Sequence, residues 1–256
     1  LGIATTDYPG RLLNTRIANV QIYDRELSQS EILQNYYKGK VVTSGLTLAF
    51  DAGNLVSYGG AGTTWYDMTS NGNNGTLTNG ATYSGGTVPS IVLDGIDDYV
   101  IKSNVTGLPN LESNFTIETF IRPTSGTYGN IVVLANSSYS LECQLLYSVD
   151  KVLVTKYGGD ILVSASNNSV PLNTWNHVVY RQENNNGSFY INGQLNGSAS
   201  IVPQSATTTN FLLGVYNTSA PQPFGGHYGM VRIYNRALSA SEISQNFNTY
   251  RRRYGI

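Results

Sequence analysis

"NFTIETFIRP", residues Asn114–Pro123, alternates without a break, with Phe115, Ile117, Thr119 and Ile121 on one parity. Successive side chains of an extended chain point to opposite faces, so this stretch is a strand with one face turned toward a core. The same signature recurs on both sides of it. Upstream, "LTLAFDAGN" (Leu46–Asn54) is a strand breaking at Gly53, and "SIVLDGIDDYVIK" (Ser90–Lys102) is strand, Asp-Gly turn and strand. Between them "TTWYDMTSNGNNGTLTNG" sets an aromatic pair against an Asn-Gly loop, a strong turn signal. Downstream, "NIVVLA", "LECQLL", "KVLVT" and "DILVS" follow at close spacing. "NTWNHVVYRQENNNGSFYINGQLNG" (Asn173–Gly197) is two strands across an Asn-rich bend, with Asn192-Gly193 opening a further hairpin. Many short strands with turns at this cadence specify an all-β sandwich. No amphipathic helices lie between the strands, which excludes a parallel βαβ sheet.

Composition agrees. Of 256 residues only 12% are charged, against roughly 25% in an average soluble protein, and the formal net charge is -1. There is no basic field to hold nucleic acid. The 27 Gly and 19 Tyr suit short strands and tight turns. Cys143 is the sole cysteine, so no internal disulfide forms, and it is expected as a small apolar residue inside a strand. No apolar run is long enough to cross a bilayer, so no membrane partner is expected.

The chain repeats itself. Ile22-Tyr23 aligns with Ile233-Tyr234, and at the same offset Arg25, Leu27, Ser28, Glu31-Ile32 and Gln34-Asn35 match Arg236, Leu238, Ser239, Glu242-Ile243 and Gln245-Asn246. In each copy an alternating strand runs into S-x-x-E, the capping-box spacing that closes orphan amides at a helix start. Leu27 with Ile32, and Leu238 with Ile243, hold the positions of a hydrophobic staple. Each copy is thus a last strand and a short closing helix. Residues 1–42 are expected to be the C-terminal part of a preceding domain, completed by an upstream segment, and residues 43–256 a whole domain.

"LDGIDDYV", "FTIETFIRP", "TWNHVVYR", "FYINGQL" and "VRIYNRALSASEI" together resemble, in order and spacing, the concanavalin A-like, laminin G-like jelly-roll domains. The likeness covers about Leu46 to Tyr250. It implies a two-sheet antiparallel jelly-roll sandwich with a short C-terminal helix. The Asn/Gly-rich variant looks like versions encoded by tailed bacteriophages, where such domains occur in virion fibres and surface decorations.

Some glucanases share this fold, and they set two carboxylates on one strand, typically as E-x-D-x-x-E. No such string occurs here. Glu112 and Glu118 flank a strand start without the central Asp, and neither His177 nor His227 lies near a G-x-S-x-G elbow. His177 is read as a strand residue with a structural hydrogen bond, and no catalytic residue is assigned. Asp94, Asp97 and Asp98 are the densest carboxylates and are candidate ligands for a structural calcium ion. The alternative is that Asp94-Gly95 makes the turn while Asp97 and Asp98 accept loop hydrogen bonds. Tyr58, Tyr66, Tyr128, Tyr157 and Tyr216 are candidate platforms for a glycan, since sugars offer apolar C–H faces to aromatic rings. Tyr139 also lies in a loop-like segment. Trp65 and Trp175 are expected in the core. Arg251-Arg252-Arg253 is expected to complement the negative end of the last helix or to touch a neighbouring subunit.

The reading that follows is a non-enzymatic virion surface protein, fibre or decoration, built from tandem domains. Its expected partners are other virion proteins or its own copies, and host-surface glycans. The alternatives are a secreted bacterial lectin or adhesin, serving as the carbohydrate-binding part of a larger enzyme, and a purely architectural part without a ligand.

Overall fold

A computed structural model describes residues 22–27, 40–125, 128–136, 142–148, 151–156, 161–203, 205–218 and 222–256. The chain divides into two compact units, Leu1–Tyr36 and Tyr37–Ile256. In the first unit the described stretch, Ile22–Leu27, bends at Asp24 and Arg25. The first copy's capping spacing, Ser28 to Glu31, lies outside the described residues. The division falls upstream of the boundary expected at residue 42, because Lys40–Val42 packs with the second unit.

The second unit begins with β1 (Leu46–Asp51), β2 (Thr64–Trp65), β3 (Gly75–Thr78), β4 (Thr82–Ser84), β5 (Ser90–Asp94) and β6 (Tyr99–Ser103). Next come β7 (Phe115–Pro123), β8 (Gly129–Ala135), β9 (Glu142–Ser148), β10 (Lys151–Lys156) and β11 (Ile161–Ser164). It closes with β12 (Asn176–Glu183), β13 (Asn186–Ile191), β14 (Gln194–Ser200), β15 (Asn210–Leu213), β16 (Gly225–Tyr234) and the helix α1 (Ala240–Tyr254). One sheet runs β14-β13-β12-β7-β16-β5-β4, with β1 also on β16; the other runs β11-β10-β9-β8-β15-β6-β3-β2. Pairing is antiparallel in both. This is a jelly-roll sandwich, as the alternating strands require.

Asparagine shapes the connections. Asn184-Asn185 (φ 47 and 62) and Asn192-Gly193 (φ 50 and 78) turn the β12–β13 and β13–β14 hairpins, in the left-handed backbone that matches the twist of the flanking strands. The Asp-Gly turn after β5 does something else: it carries the chain from one sheet to the other.

Between the sheets, Trp65 stacks on Phe50 at 4.9 Å, and Phe211 meets Phe50 edge-on. Phe115, Ile117 and Ile121 of β7 point into this core, as the alternation predicts. Fully burying each such side chain contributes about 1.5–3 kcal/mol.

On the opposite parity of β7, Thr116, Glu118 and Phe120 are buried as well. Helix α1 lies over this face, started by a capping box in which Ser239 Oγ accepts from the Glu242 amide and Glu242 accepts from the Ser239 amide. Leu238 and Ile243 share a buried cluster, as a staple would place them. Phe247 and Tyr254 pack with Phe120 and Met230 of the sheet. Gly255, at φ 69, ends the helix, and Arg251–Arg253 occupy its last turn.

Beneath the helix sits a polar cluster. Glu118 of β7, 1% exposed, accepts from His177 Nε2 at 2.8 Å, from Asn246 Nδ2 at 2.9 Å and from the Tyr234 hydroxyl at 3.3 Å. Buried Arg232 lies 3.6 Å from the same carboxylate and 4.6 Å from the Tyr250 ring. Desolvation works against the Glu118 charge, but the His177 hydrogen bond, the Arg232 charge and Asn246 outweigh it and hold the carboxyl below its usual range. Asn246 Oδ1 also accepts from the Val42 amide, and the single proton of the Tyr234 hydroxyl is shared between Glu118 and the Val42 carbonyl, 3.1 Å away. Gln245 and Thr249 donate to the Lys40 carbonyl. The closing helix therefore grips the segment that leads into β1.

Candidate functional site

Three connections meet at one rim of the sandwich, beside the Asp94–Asp98 turn. Asp94 pairs in register with Gly225, and the amides of Thr124 and Ser125 both reach the Gly225 carbonyl. Gly95, at φ 79, approaches so closely that a Cβ there would stand 2.9 Å from the Gly225 Cα, so the turn demands glycine. The Asn130 amide donates to the Gln222 carbonyl, and the Phe224 amide to that of Gly214. A Cβ on Gly214 would meet Leu93 and the Asp98 carbonyl. The segments carrying Tyr128 and Tyr216 thus converge on the acidic turn.

Within the turn, Asp94 Oδ1 accepts from the Ile96 amide at 2.7 Å, and Asp98 Oδ2 accepts from the Asp94 amide at 3.0 Å. Of Asp97 and Asp98, the two expected to accept such bonds, Asp98 does so, and Asp94 within the turn accepts as well. One carboxylate oxygen from each of Asp94, Asp97 and Asp98 still falls within 4.8 Å of the others. Burial pushes the Asp98 carboxyl up, the charges of Asp94 and Asp97 add to the shift, and the Asp94 amide opposes it. Among the described residues no cationic side chain pairs with the three. An all-oxygen donor set of this charge fits a hard divalent ion such as calcium, which takes 6–8 oxygens.

The candidate tyrosines separate. Tyr128 is 45% exposed at this rim, and Tyr216 is partly exposed. Tyr66 is 51% exposed on a different loop, whose Asp67 and Asn73 are tied to Ala49 and Thr106. Tyr58 is no platform: it is 3% exposed, its hydroxyl donates to the Gly62 carbonyl at 2.7 Å, and its ring lies 5.0 Å from Tyr83. It anchors its loop, its ring against Tyr83 of β4 and its hydroxyl on Gly62. Tyr157 and Tyr139 lie outside the described residues.

Trp65 is in the core as expected. Trp175 is not: it lies on the outer face, 4.8 Å from Tyr254 at the end of α1, because the helix gives that face its own apolar layer. His177 has the structural hydrogen bond expected of it, to Glu118. Glu118 is at the same time 1% exposed, enclosed by sheet and helix. Cys143 falls on β9. Of the basic knot, Arg253 Nη1 reaches Asp51 Oδ1 at 2.6 Å.

Sequence reading missed the cluster around Glu118. The available signal was the spacing of Ile243, Phe247 and Tyr254, an apolar stripe that needs a second face to cover.

Residues 94–244, more than half of the chain, match the concanavalin A-like lectin/glucanases superfamily, and the chain belongs to it. No curated sequence relative matches. Among solved structures, the binding domain of Paraclostridial Mosquitocidal Protein 1 superposes with a TM-score of 0.62 at 19% identity, over 80% of this chain and 52% of that one. Domain 4 of AbnA, a GH43 extracellular arabinanase from Geobacillus stearothermophilus solved with arabinotriose, gives 0.58 at 21% identity, over 80% of this chain and 99% of the domain. Trypanosoma rangeli sialidase in complex with sialic acid gives 0.63 at 14% identity, over 86% of this chain and 37% of the enzyme. The chain spans about half the length of the toxin binding domains it matches, 52% and 50% for two of them. At these identities the likeness establishes the fold.

Proposed function

We propose that the second unit is a non-enzymatic carbohydrate-binding module that takes its ligand at the Asp94–Asp98 rim. What carries this reading is a rim where, among the described residues, three clustered carboxylates lack a cationic partner and where the segment of Tyr128, itself 45% exposed, packs through Gly129 against Pro223 and Phe224. Aromatic faces pack on sugar C–H surfaces, while carboxylates accept from hydroxyls or hold a calcium ion that does. Asp94, Asp97 and Asp98 would hold that ion, and the ion would order the turn. The superfamily and its structural neighbours support the reading, since these include toxin binding domains and an arabinanase domain solved with a bound trisaccharide. A glycan array probed with the intact chain, in calcium and in chelator, tests it. Binding to a defined set of glycans, abolished by Tyr128→Ala, is expected; an empty array in both conditions overturns the reading.

We infer further that the protein is a virion surface component of a tailed phage, a fibre or decoration meeting host glycans. The support is the duplicated sequence stretch, Ile22–Asn35 with Ile233–Asn246, the low charge and the resemblance of the Asn/Gly-rich sequence to phage-encoded domains. Mass spectrometry of purified particles decides this: the chain is expected among virion proteins, and its absence contradicts the assignment.

A further inference from the structure

On the outer face of the first sheet, beyond the end of α1, Arg122 of β7 stands in register with His227 of β16. Arg122 Nη2 lies 2.6 Å from His227 Nε2, and His227 Nδ1 lies 3.0 Å from Ser90 Oγ. A guanidinium can only donate, so Nε2 offers its lone pair and Nδ1 carries the proton, given to Ser90. Trp175 stands edge-on to the imidazole at 6.1 Å. Arg122, His227 and Trp175 are all partly exposed.

The charge here is unbalanced. Other enclosed arginines face carboxylates: Arg232 has Glu118, Arg253 has Asp51, Arg236 has Glu242 and Arg181 has Glu183. Among the described residues Arg122 has no carboxylate within 4.0 Å, and its buried Nε has no hydrogen-bond partner. Among the described residues its side-chain hydrogen bond is to a neutral ring, which sets the plane of the guanidinium without neutralising it. Enclosing a cation costs free energy unless a counter-charge is supplied. The same cation, with burial as the larger cause, lowers the His227 pKa to about 4, so the ring itself brings no second charge near neutral pH.

We propose that Arg122 and Trp175 form a binding face for an acidic saccharide, with the sugar's carboxylate or sulfate on the guanidinium and its C–H face against the indole. The proposal rests on the glycan-binding reading but places this ligand class on a different set of residues. The planar fork of arginine suits a two-oxygen anion, and the aromatic ring beside it selects an anion carried on a sugar rather than a free one. His227 is a positioning residue, holding the fork through Nε2 while Ser90 fixes its tautomer.

The test follows the Trp175 indole and His227 ring signals by NMR in the full chain. The probes are a glucuronate-containing disaccharide, a 6-sulfated lactose, lactose and inorganic sulfate. The expected result is saturable shifts with either acidic disaccharide and none with lactose. Arg122→Gln should weaken binding about tenfold or more, and Arg122→Lys should recover it only in part. An unchanged melting temperature shows that each variant folds. If saccharides bind the chain but Arg122→Gln leaves their affinity intact, this site is overturned and the rim reading stands. If inorganic sulfate binds as tightly as the sulfated sugar, the saccharide assignment is overturned. If no saccharide of any kind binds here or on the array, both readings fall.

Discussion

His177 Nε2 and Glu118 Oε1 lie 2.8 Å apart on adjacent strands, each side chain almost wholly shielded from water. They are 59 residues apart in the chain, and they meet because β12 and β7 pair in register, with His177 opposite Phe120 and Val179 opposite Glu118. Around them, Arg232, Tyr234 and Asn246 join the closing helix to the sheet and to the segment that precedes β1.

Removing the carboxylate should be costly. Glu118→Ala leaves Arg232 buried without its counter-ion and takes the acceptor from His177, Asn246 and Tyr234. A loss of about 3–5 kcal/mol is expected in urea denaturation. Glu118→Gln, which keeps an acceptor but not the charge, should fall between. A wild-type midpoint in Glu118→Ala would show that the cluster does not support the fold.

Asn246 is the joint between helix, sheet and lead-in segment. Asn246→Ala should cost about 1–3 kcal/mol for each buried partner left unsatisfied. It should also raise amide exchange at Val42, whose N–H it accepts at 2.9 Å. Exchange at Val42 unchanged from wild type would contradict the clamp.

Acid should loosen the unit in two ways that share a sign. The His227 pKa is lowered from 6.5 to about 4, so as pH falls through this window the unfolded chain takes up a proton before the folded one, and stability declines. Glu118 is held below the ordinary carboxylate range, so its contribution is present at neutral pH and is lost in stronger acid, as pH drops through its folded value. Asp98, whose carboxyl burial pushes up, acts with the opposite sign, so the fall in melting temperature should be clearest as pH drops from about 6.5 toward about 4, the His227 window. His227→Gln should flatten the first part of the profile; a profile identical to wild type would remove His227 as its source.

Ser239 caps α1 with its hydroxyl, and Ser239→Ala should cost about 1 kcal/mol by thermal or chemical melting. Ser239→Asp, which caps and adds favourable charge at a helix start, should recover that loss. Failure of Asp to recover it would mean that the capping geometry is not the source.

How far residues announced these features depends on how local the cause is. The parity of Phe115, Ile117 and Ile121, the S-x-x-E cap, and Asn192-Gly193 are governed by a few neighbouring residues, and each was legible in the sequence. Glu118 was not, because on its own strand it occupies what looks like a solvent face. What encloses it is a helix more than a hundred positions later and a histidine on another strand. Trp175 misled for the same reason: a large aromatic belongs in an apolar layer, and this molecule has one on each side of its first sheet. At the rim, the Asp94–Asp98 cluster was visible as a run, whereas the packing of Gly225 on Gly95 and of Gly129 on Phe224 depends on how three connections cross. Tyr58 looked like Tyr128 in the sequence, and packing against Tyr83 is what buries the one while the other stays exposed.

The central claim is that this module holds glycans without transforming them. Incubating the intact chain with each glycan it captures, then recovering the bound material for mass spectrometry, tests that claim directly. The account predicts that every captured glycan returns with its mass unchanged, and that Tyr128→Ala captures none at the rim. Recovery of shortened glycans, or capture of neutral glycans unaffected by Tyr128→Ala, would contradict it.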